Sequence, residues 1–230
     1  MAESLEWSAP VQLAPSAPKL GEHVAQELRR AIISDTLTRD THLVESRLSE
    51  KFGVSRGPVR DALTRLCEEG LVESRRRGTY VRGLSIEDIE ELYSLRKLIE
   101  TDAVLRCIGT DGADFSPIEK ALERMRSALA SGDASAFAHA DLGFHSAFYT
   151  VAGHRRIEAI WLQYRPTFAG MLEVTNAQDA SLTPTMEDHE VLLDAVTTGD
   201  RARALDLLED HLEGSRRRML AAYGRYSEPD

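Results

Sequence analysis

The chain has 230 residues, of which 42% are hydrophobic and 29% are charged. This composition is ordinary for a folded globular protein and excludes a wholly disordered chain, and the length suits one or two domains. No apolar run approaches the roughly 20 residues that a membrane-spanning helix needs. We recognise neither a secretory signal nor a transit peptide, and two cysteines cannot form a disulfide framework. We therefore expect a cytoplasmic protein without a membrane partner.

The net charge of −10 is distributed unevenly along the chain. Residues 1–18 carry −2, residues 19–83 carry +3 and residues 84–230 carry −11. A mildly basic segment joined to a strongly acidic one suggests two domains with different partners. The first segment also holds three prolines among Ala and Ser, so we predict a disordered arm over residues 1–18.

The pattern in residues 19–83 predicts a winged helix-turn-helix domain. Helices are predicted from Leu20, over 46–52 and over 55–69, and β-type runs over 71–74 and 79–81. A tight turn at 53–55 separates the two short helices, with Ser55 as the N-cap of the second. The basic tip Arg75-Arg76-Arg77-Gly78 joins the two β-type runs and predicts a hairpin. Cys67, among leucines of the third helix, is expected in the core.

Arginines on the third helix and on the hairpin tip suggest contact with DNA. Arg56 and Arg60 are one helical turn apart and point to the same side, where guanidinium groups can pair with guanine or hold phosphates. Gly57 between them would let the backbone approach a groove closely, and a tip with Arg76 could reach an adjacent groove. The alternative is that these arginines form only a solvated helix face and an exposed turn.

The segment LSEKFGVSRGPVRDALTRLCEEGLVESRRRGTYV resembles the DNA-binding domain of the GntR family of bacterial transcription regulators. The resemblance covers about residues 20–83 and includes VSR-x-PVR-x-AL, L-x-x-EGLV and RGTYV in order. It implies that the DNA-contacting positions of the recognition helix and the wing glycine are Ser55, Arg56, Gly57, Arg60 and Gly78. Family members usually have Thr at position 57. Their contacting Arg on the preceding helix falls here on Ser46, so its neighbour Arg47 is the candidate.

From Ser85 onward the sequence shows only helical periodicity. About six helices are predicted, over 86–108, 117–131, 134–152, 154–175, 184–198 and 200–223. Ser85, Ser116 and Asp200 are plausible helix starts, and acidic residues follow in the first turns of the first two. We therefore predict a mainly α protein in which residues 84–226 form an all-helical effector-binding and dimerisation domain, with Cys107 in its core.

Three of these helices carry polar residues within apolar stripes. Asp141 and His145, spaced i, i+4, share one helical face, while His189 and His211 lie within the apolar stripes of two later helices. An ionised aspartate inside a bundle is costly unless it is paired or bound to a metal. The four side chains could therefore converge on one cation, or they could be a buried ion pair with hydrogen-bonded core histidines.

Residues 86–223 resemble the FCD ligand-binding domain of the FadR-type subgroup of the same family, through YSLRKLIE, DLGFHSAF and DHEVLLDAVTTGDRARALDLLEDHL. In many members one Asp and three His bind a divalent metal, and the resemblance assigns these positions to Asp141, His145, His189 and His211. Zn²⁺ suits such ligands best, and Ni²⁺ or Mn²⁺ are alternatives. His139 and His154 lie outside the stripes and are expected at the surface.

Guanidinium groups in this domain could pair with the carboxylate of an effector. Arg96, on the first of the six helices, is the main candidate. The alternative is that Arg96 is an exposed helical residue that pairs with Glu100 at i+4. Arg165 is a weaker candidate for effector binding, with Trp161 as part of a cavity wall.

These features predict a metabolite-responsive DNA-binding transcription regulator rather than an enzyme. We expect a homodimeric repressor that binds palindromic operator DNA and is released by a small carboxylate metabolite bound at the metal. One alternative is a metal-dependent hydrolytic enzyme, in which the metal activates water. Another is a metal-free regulator that senses a larger, lipid-like ligand.

Overall fold

The computed structural model describes residues 17–227 apart from residues 178 and 180. The described residues form helices and short strands in the order α1 Ala17–Ile33, β1 His42–Leu43, α2 Glu45–Phe52, α3 Arg56–Glu68, β2 Val72–Arg75, β3 Gly78–Val81, α4 Ile86–Gly109, α5 Ser116–Ser131, α6 Ala134–Ala152, α7 Arg155–Asn176, α8 Thr183–Thr197 and α9 Arg201–Ser227. The mainly α prediction is confirmed. Of the predicted arm, residues 1–16 lie outside the described part, and residues 17 and 18 already belong to α1.

Helices α1–α3 and the three strands form a winged helix domain. The apolar side of α1, with Val24, Leu28 and Ile32, is buried and packs on α3. The strands form an antiparallel sheet in the order β1-β3-β2, in which Arg75 is paired with Gly78. The predicted hairpin is therefore present, and β1 is the one strand of this domain that was not predicted. That strand has two residues, which is too short to produce an alternating pattern.

The two cysteines lie in different environments. Cys107 is buried, its Sγ lies 3.4 Å from the Phe148 carbonyl oxygen, and burial raises the pKa of its thiol to about 12. Cys67 is exposed, so its predicted place in the core is wrong. Leu63 and Leu66 occupy the buried side of α3. Cys67 follows Leu66 by about 100° around the helix, which turns its side chain to solvent.

Helices α4–α9 form the C-terminal domain, with boundaries within one residue of the prediction except that α9 continues to Ser227. Helix α6 packs against α4, α5 and α7, while α9 packs against α4, α7 and α8. The Asp133 side chain accepts a hydrogen bond from the Ala136 N–H at 2.9 Å and caps the start of α6. Among the described residues, no helix is both long and apolar enough to cross a membrane.

Helix α7 joins the two domains by packing on α1. Arg29 of α1 makes a two-point ion pair with Glu69, the residue that follows α3, with both N–O distances at 2.6 Å. Thr167 of α7 donates a hydrogen bond to the same carboxylate at 3.3 Å. Gly170 of α7 lies so close to α1 that a Cβ atom there would be 2.7 Å from Ile33 Cδ1. The C-terminal end of α3 is therefore in direct contact with the C-terminal domain.

The C-terminal domain begins with a capping box at Ser85 and Asp88. The Asp88 N–H donates to Ser85 Oγ at 3.0 Å, and the Ser85 N–H donates to the Asp88 carboxylate at 2.8 Å. Arg82, in the segment between the domains, donates to both oxygens of the same carboxylate at 2.9 and 3.1 Å. Burial alone would raise the pKa of Asp88, but the bonds from Ser85 and Arg82 outweigh burial and lower this pKa.

We expect Asp88→Asn to lower the free energy of unfolding by about 1 kcal/mol at neutral pH, because the substitution weakens a helix cap. A carboxyl group with a lowered pKa stabilises the folded state only while it is ionised. The difference between the variant and the parent should therefore shrink as the pH falls below about 4. Urea unfolding at pH 7 and pH 3 measures both effects. Glu87→Gln, at an exposed neighbour, is the control, and an equal loss in that variant would contradict the cap assignment.

Candidate functional site

The residues predicted to contact DNA from α3 are all exposed. They are Ser55, Arg56, Gly57 and Arg60. Ser55 occupies the N-cap position as predicted, but its side chain makes no capping hydrogen bond to the helix. A Cβ atom at Gly57 would meet nothing within 4 Å, so the fold does not require glycine at this position and the space in front of α3 is open.

The arginines around this face differ in how they are held. Arg60 pairs with Glu45 of α2, with an N–O distance of 3.1 Å, and hydrogen bonding to that carboxylate raises the pKa of Arg60. An exposed ion pair of this kind is weak and can be exchanged for a phosphate or a base. Arg56 and Arg47 are exposed, and among the described residues neither has a hydrogen-bond or ion-pair partner. Both guanidinium groups are therefore available to a ligand.

The wing, which is the hairpin of β2 and β3, depends on a glycine at its tip. Gly78 has φ 136°, and a Cβ atom there would lie 2.4 Å from Nε2 of His42. The His42 ring stacks on Tyr80 of β3 with centroids 4.6 Å apart. Arg75 bonds to Glu73 at 2.6 Å and lies over the Tyr80 ring, whereas Arg76 is exposed at the turn without a partner among the described residues. Arg76 is thus the freer of these two arginines.

The four predicted metal ligands are brought together in the middle of the C-terminal domain. Asp141, His145, His189 and His211 are buried, and they come from α6, α8 and α9. Asp141 Oδ1 lies 3.2 Å from His189 Nε2 and 3.3 Å from His145 Nε2. The Nε2 atoms of His145 and His211 are 3.1 Å apart. One ring nitrogen from each histidine lies within 4.8 Å of the others.

The far sides of two imidazoles are fixed by hydrogen-bond acceptors. His189 Nδ1 lies 2.6 Å from the Thr185 carbonyl oxygen, which can only accept, so this nitrogen carries the proton. His145 Nδ1 contacts the Glu100 carboxylate, which also only accepts, so this nitrogen carries the proton too. In the neutral rings, both Nε2 atoms are then acceptors that face the Asp141 carboxylate. Such an arrangement of acceptors is favourable only with a positive charge between them.

The pKa values at this centre, which consists of Asp141, His145, His189 and His211, follow from the same contacts. Burial alone would raise the pKa of Glu100, but His145 and Arg96 outweigh burial and hold this pKa at about 2. Burial would also raise the pKa of Asp141, but His189 and His145 hold it well below its usual range. Burial, with His189 and His145 nearby, lowers the pKa of His211. Two carboxylates are therefore ionised and His211 is neutral at physiological pH.

These donors fit a divalent metal. A tetrahedral ion with bonds of ~2.0–2.1 Å separates its ligand atoms by ~3.3 Å, close to the separations between the Nε2 and Oδ1 atoms at this centre. Three neutral imidazoles and one carboxylate form a set that first-row divalent ions accept. The carboxylate on the far side of His145 and the carbonyl on the far side of His189 orient the rings in the manner typical of metal-binding histidines.

Arg96 lies inside the domain rather than on its surface. It is 1% exposed, and its Nε donates to Glu100 at 3.0 Å. The alternative prediction was therefore right about the pairing with Glu100 and wrong about exposure. The contact of Glu100 with His145 was not predicted. The i, i+4 spacing indicated its ion pair with Arg96, but no local pattern could place it against His145 on another helix.

The weaker effector candidates line the neighbouring part of the interior. Trp161 is buried, and its Nε1 donates to Ser146 Oγ at 2.9 Å. Arg165 is half-buried and donates to the same oxygen at 3.1 Å. The guanidinium carbon of Arg96 lies 5.8 Å from the centroid of the Trp161 ring. Arg96 and Trp161 are thus close neighbours. Arg165 is connected to Trp161 only by the Ser146 hydroxyl group, to which both side chains donate.

The two histidines outside the stripes lie away from the centre. His139 is exposed, and its Nδ1 lies 2.8 Å from the Ser135 carbonyl oxygen. His154 is half-buried at the N-cap of α7, where its Nδ1 accepts a hydrogen bond from the Ile157 N–H at 3.3 Å. His154 is therefore the cap of α7 and, within the described part of the chain, has no contact that assigns it to the four predicted metal ligands.

Comparison with known protein families agrees with both halves of the chain. The family model for bacterial regulatory proteins of the gntR family matches residues 20–81, and the FCD domain model matches residues 91–214. The resemblance inferred from the sequence motifs is therefore confirmed.

The chain is similar to curated repressors over most of its length. It is 30% identical over 204 residues to the gluconate operon transcriptional repressor of Bacillus subtilis (strain 168), a match that covers 86% of this chain and 84% of that protein. It is 31% identical over 144 residues to the HTH-type transcriptional repressor RspR of Escherichia coli (strain K12), covering 61% of this chain and 62% of that protein.

Solved structures share the two-domain fold. A GntR transcriptional regulator from Rhodococcus sp. RHA1 has a TM-score of 0.67 at 30% identity and covers 89% of this chain and 99% of that chain. E. coli McbR/YncC has a TM-score of 0.70 at 20% identity, covering 90% of this chain and 99% of that chain, a likeness that shows the fold alone. The chain therefore belongs to the GntR family of bacterial DNA-binding transcription regulators and carries an FCD domain in its C-terminal part.

Proposed function

We propose that the protein is a metabolite-responsive repressor that binds a palindromic operator as a homodimer and is released by a small organic acid. The observation that carries this proposal is the buried centre of Asp141, His145, His189 and His211 in a regulator with exposed arginines on its winged domain. A two-fold dimer reads two half-sites, which accounts for the palindrome. Such a repressor acts in the cytoplasm, where its operator lies.

In this proposal, the winged domain holds the operator through residues of α2, α3 and the wing. These residues are Arg47, Ser55, Arg56, Gly57, Arg60, Arg76 and Gly78. Arg56 and Arg60 point to one side of α3 and can read bases or hold phosphates. Arg76 at the tip of the wing contacts the backbone of an adjacent groove, and Gly78 keeps the tip compact enough to approach it.

The divalent metal would be held by Asp141, His145, His189 and His211, with Zn²⁺ as the best match and Ni²⁺ or Mn²⁺ as alternatives. When bound, the ion would supply a positive centre that attracts a carboxylate. Residues of the chain orient this centre, because Glu100 and the Thr185 carbonyl fix two of the rings. Asp141 contributes the negative charge that favours a cation over a neutral ligand.

The effector in this proposal is a small carboxylate that also contacts Arg96. The Arg96 guanidinium lies next to the centre and donates one hydrogen bond to Glu100. Arg165 lies in the same region, where it donates to Ser146. The relative that is 30% identical is named for a gluconate operon, and gluconate is a carboxylate of this class. Imidazoles, carboxylates and guanidinium groups surround the centre, whereas a lipid-like ligand would need an apolar lining.

Helix α7 provides a route from the effector to the operator. Trp161 and Phe168 of α7 lie against Arg96, with ring centroids 5.8 and 5.2 Å from its guanidinium carbon. Thr167 of the same helix bonds to Glu69 at the end of α3. In this proposal the effector prefers one position of α7, and that position is less compatible with operator binding.

The enzyme alternative is wrong, because the chain belongs to a family of transcription regulators and its curated relatives are repressors. In this proposal, a metal held by three imidazoles and one carboxylate would expand beyond four ligands to take the effector, and no step of bond cleavage is required.

We expect Arg56→Ala to weaken binding to the operator roughly tenfold or more, because a base-contacting arginine is lost. Fluorescence anisotropy with a labelled operator and with an unrelated duplex measures affinity and specificity. Arg65→Ala is the matched control: Arg65 is an exposed arginine of the same helix that pairs with Glu22, and it lies about 180° around α3 from Arg56. Equal affinities of Arg56→Ala and the parent would remove α3 as the recognition helix.

We expect the purified protein to bind one divalent ion per chain and to lose it in His189→Ala. Chelation should lower the melting temperature of the parent, since a ligand of the folded state at a thousandfold excess over Kd stabilises by about 4 kcal/mol. Metal analysis and thermal unfolding with and without a chelator measure these effects. His139→Ala should behave as the parent does. A parent protein without stoichiometric metal, and with a melting temperature that Zn²⁺, Ni²⁺ and Mn²⁺ leave unchanged, would refute the metal site.

We expect D-gluconate or another small organic acid to release the metal-loaded protein from operator DNA. The same acid should leave the complex of His189→Ala with the operator intact, because the acid loses its main anchor while the DNA-binding residues are unchanged. A competition assay with labelled operator measures the release. Release of both proteins at the same acid concentration would show that the effector does not act through the metal centre.

A further inference from the structure

Tyr149 carries a buried hydroxyl group that no described residue of the domain satisfies. The residue lies on α6 and is 1% exposed. Its Oη is shielded from solvent and has no hydrogen-bond partner within the part of the chain that the structure describes. Buried polar groups are nearly always paired in folded proteins, because an unpaired one loses its bonds to water without replacement. An orphan hydroxyl therefore indicates a missing partner.

The Tyr149 side chain belongs to the same interior region as Arg96. Its ring stacks on Trp161 with centroids 4.9 Å apart and an interplanar angle of 16°. Trp161 in turn stacks on Phe168, and the Arg96 guanidinium lies over both of these rings. Burial raises the pKa of Tyr149, and the nearby Glu100 adds to this effect while Arg96 opposes it. The hydroxyl therefore remains a hydrogen-bond donor near the Arg96–Glu100 pair.

The position of Tyr149 on α6 aligns it with two residues of the centre. Asp141, His145 and Tyr149 are spaced at i, i+4 and i+8, so they share one side of the helix. Each step of four residues advances about 6 Å along the axis. A ligand that begins at the imidazoles and extends along α6 by about that length would reach the Tyr149 hydroxyl.

Arg96 offers further unused donors in this region. Its Nε bonds to Glu100, but neither Nη atom has a hydrogen-bond partner among the described residues. A guanidinium group has five N–H donors, and its two terminal nitrogens can bind the oxygens of a ligand together. Tyr149 and the terminal nitrogens of Arg96 therefore offer hydrogen-bond donors in the same region of the interior.

We propose that Tyr149 is a specificity-determining residue, whose hydroxyl donates a hydrogen bond to a second oxygen function of the effector, beyond its metal-side carboxylate. This inference rests on the proposed function, because it takes the effector to be an organic acid. It assigns the effector to the acids that carry hydroxyl, oxo or further carboxyl groups. A plain alkyl acid leaves the Tyr149 hydroxyl unpaired, and a site that is built to hydrogen-bond an oxygen discriminates strongly against ligands that lack it.

The test compares the parent with Tyr149→Phe, which removes one oxygen atom and keeps the stacked ring. Calorimetric titration of the metal-loaded proteins uses D-gluconate, L-malate, L-lactate and citrate, and hexanoate as an acid without a second oxygen function. We expect Tyr149→Phe to melt no lower than the parent and to keep its metal, because an unpaired hydroxyl adds nothing to the fold. The variant should lose roughly tenfold or more in affinity for the best oxygen-bearing acid. Hexanoate should bind the parent far more weakly than that acid.

Tyr164→Phe is the matched control, because Tyr164 is a half-buried tyrosine of α7 that lines a surface cleft with Glu68 and Leu84. It should bind the acids as the parent does. Equal binding of an oxygen-bearing acid by the parent and Tyr149→Phe would overturn the role of Tyr149 and leave the acid effector standing. Binding of hexanoate as tight as that of the best oxygen-bearing acid would also overturn it. A parent that binds none of the acids would refute the acid effector itself and the role of Tyr149 with it.

Discussion

The C-terminal domain is built around a set of charges that its interior cannot leave uncompensated. The carboxylates of Glu100 and Asp141 are buried, and Arg96 is the one guanidinium group that the described structure places beside them. One guanidinium cannot neutralise two carboxylates, and an uncompensated charge in an apolar interior is costly. The remaining positive charge has to come from the imidazole nitrogens that face Asp141, as a proton or as a bound cation. Helices α4, α6, α8 and α9 are therefore arranged around a site that favours a cation.

This electrostatic constraint also bears on helix α7, which joins the interior of the C-terminal domain to the winged domain. Arg96 is held between Glu100 and the rings of α7, so any ligand that draws on its charge also acts on α7. The opposite contacts of α7, through Thr167 and Gly170, reach the winged domain at Glu69 and α1. The two domains meet through packed side chains and partly buried hydrogen bonds. In the proposed mechanism, a small shift of α7 couples the two domains.

Local sequence patterns predict the helices, the hairpin and the burial of four polar residues well, because helical periodicity and glycine turns depend on neighbouring residues. A polar residue within an apolar stripe indicates burial, which is how Asp141 and the three histidines are recognised. Contacts between distant segments have no such signal. The approach of Glu100 to His145 and that of Thr167 to Glu69 each require knowledge of how whole helices pack. The exposure of Cys67 depends on a rotation of about 100° around one helix, which periodicity alone resolves poorly.

X-ray absorption at the metal edge of the Zn²⁺-loaded protein would identify the metal ligands, because it reports the atoms that are bonded to the ion. We expect nitrogen and oxygen neighbours at ~2.0–2.2 Å, with the outer-shell scattering of three imidazole rings and no sulfur. A first shell with sulfur at ~2.3 Å, or one that lacks imidazole scattering, would contradict the assignment of the ion to Asp141, His145, His189 and His211.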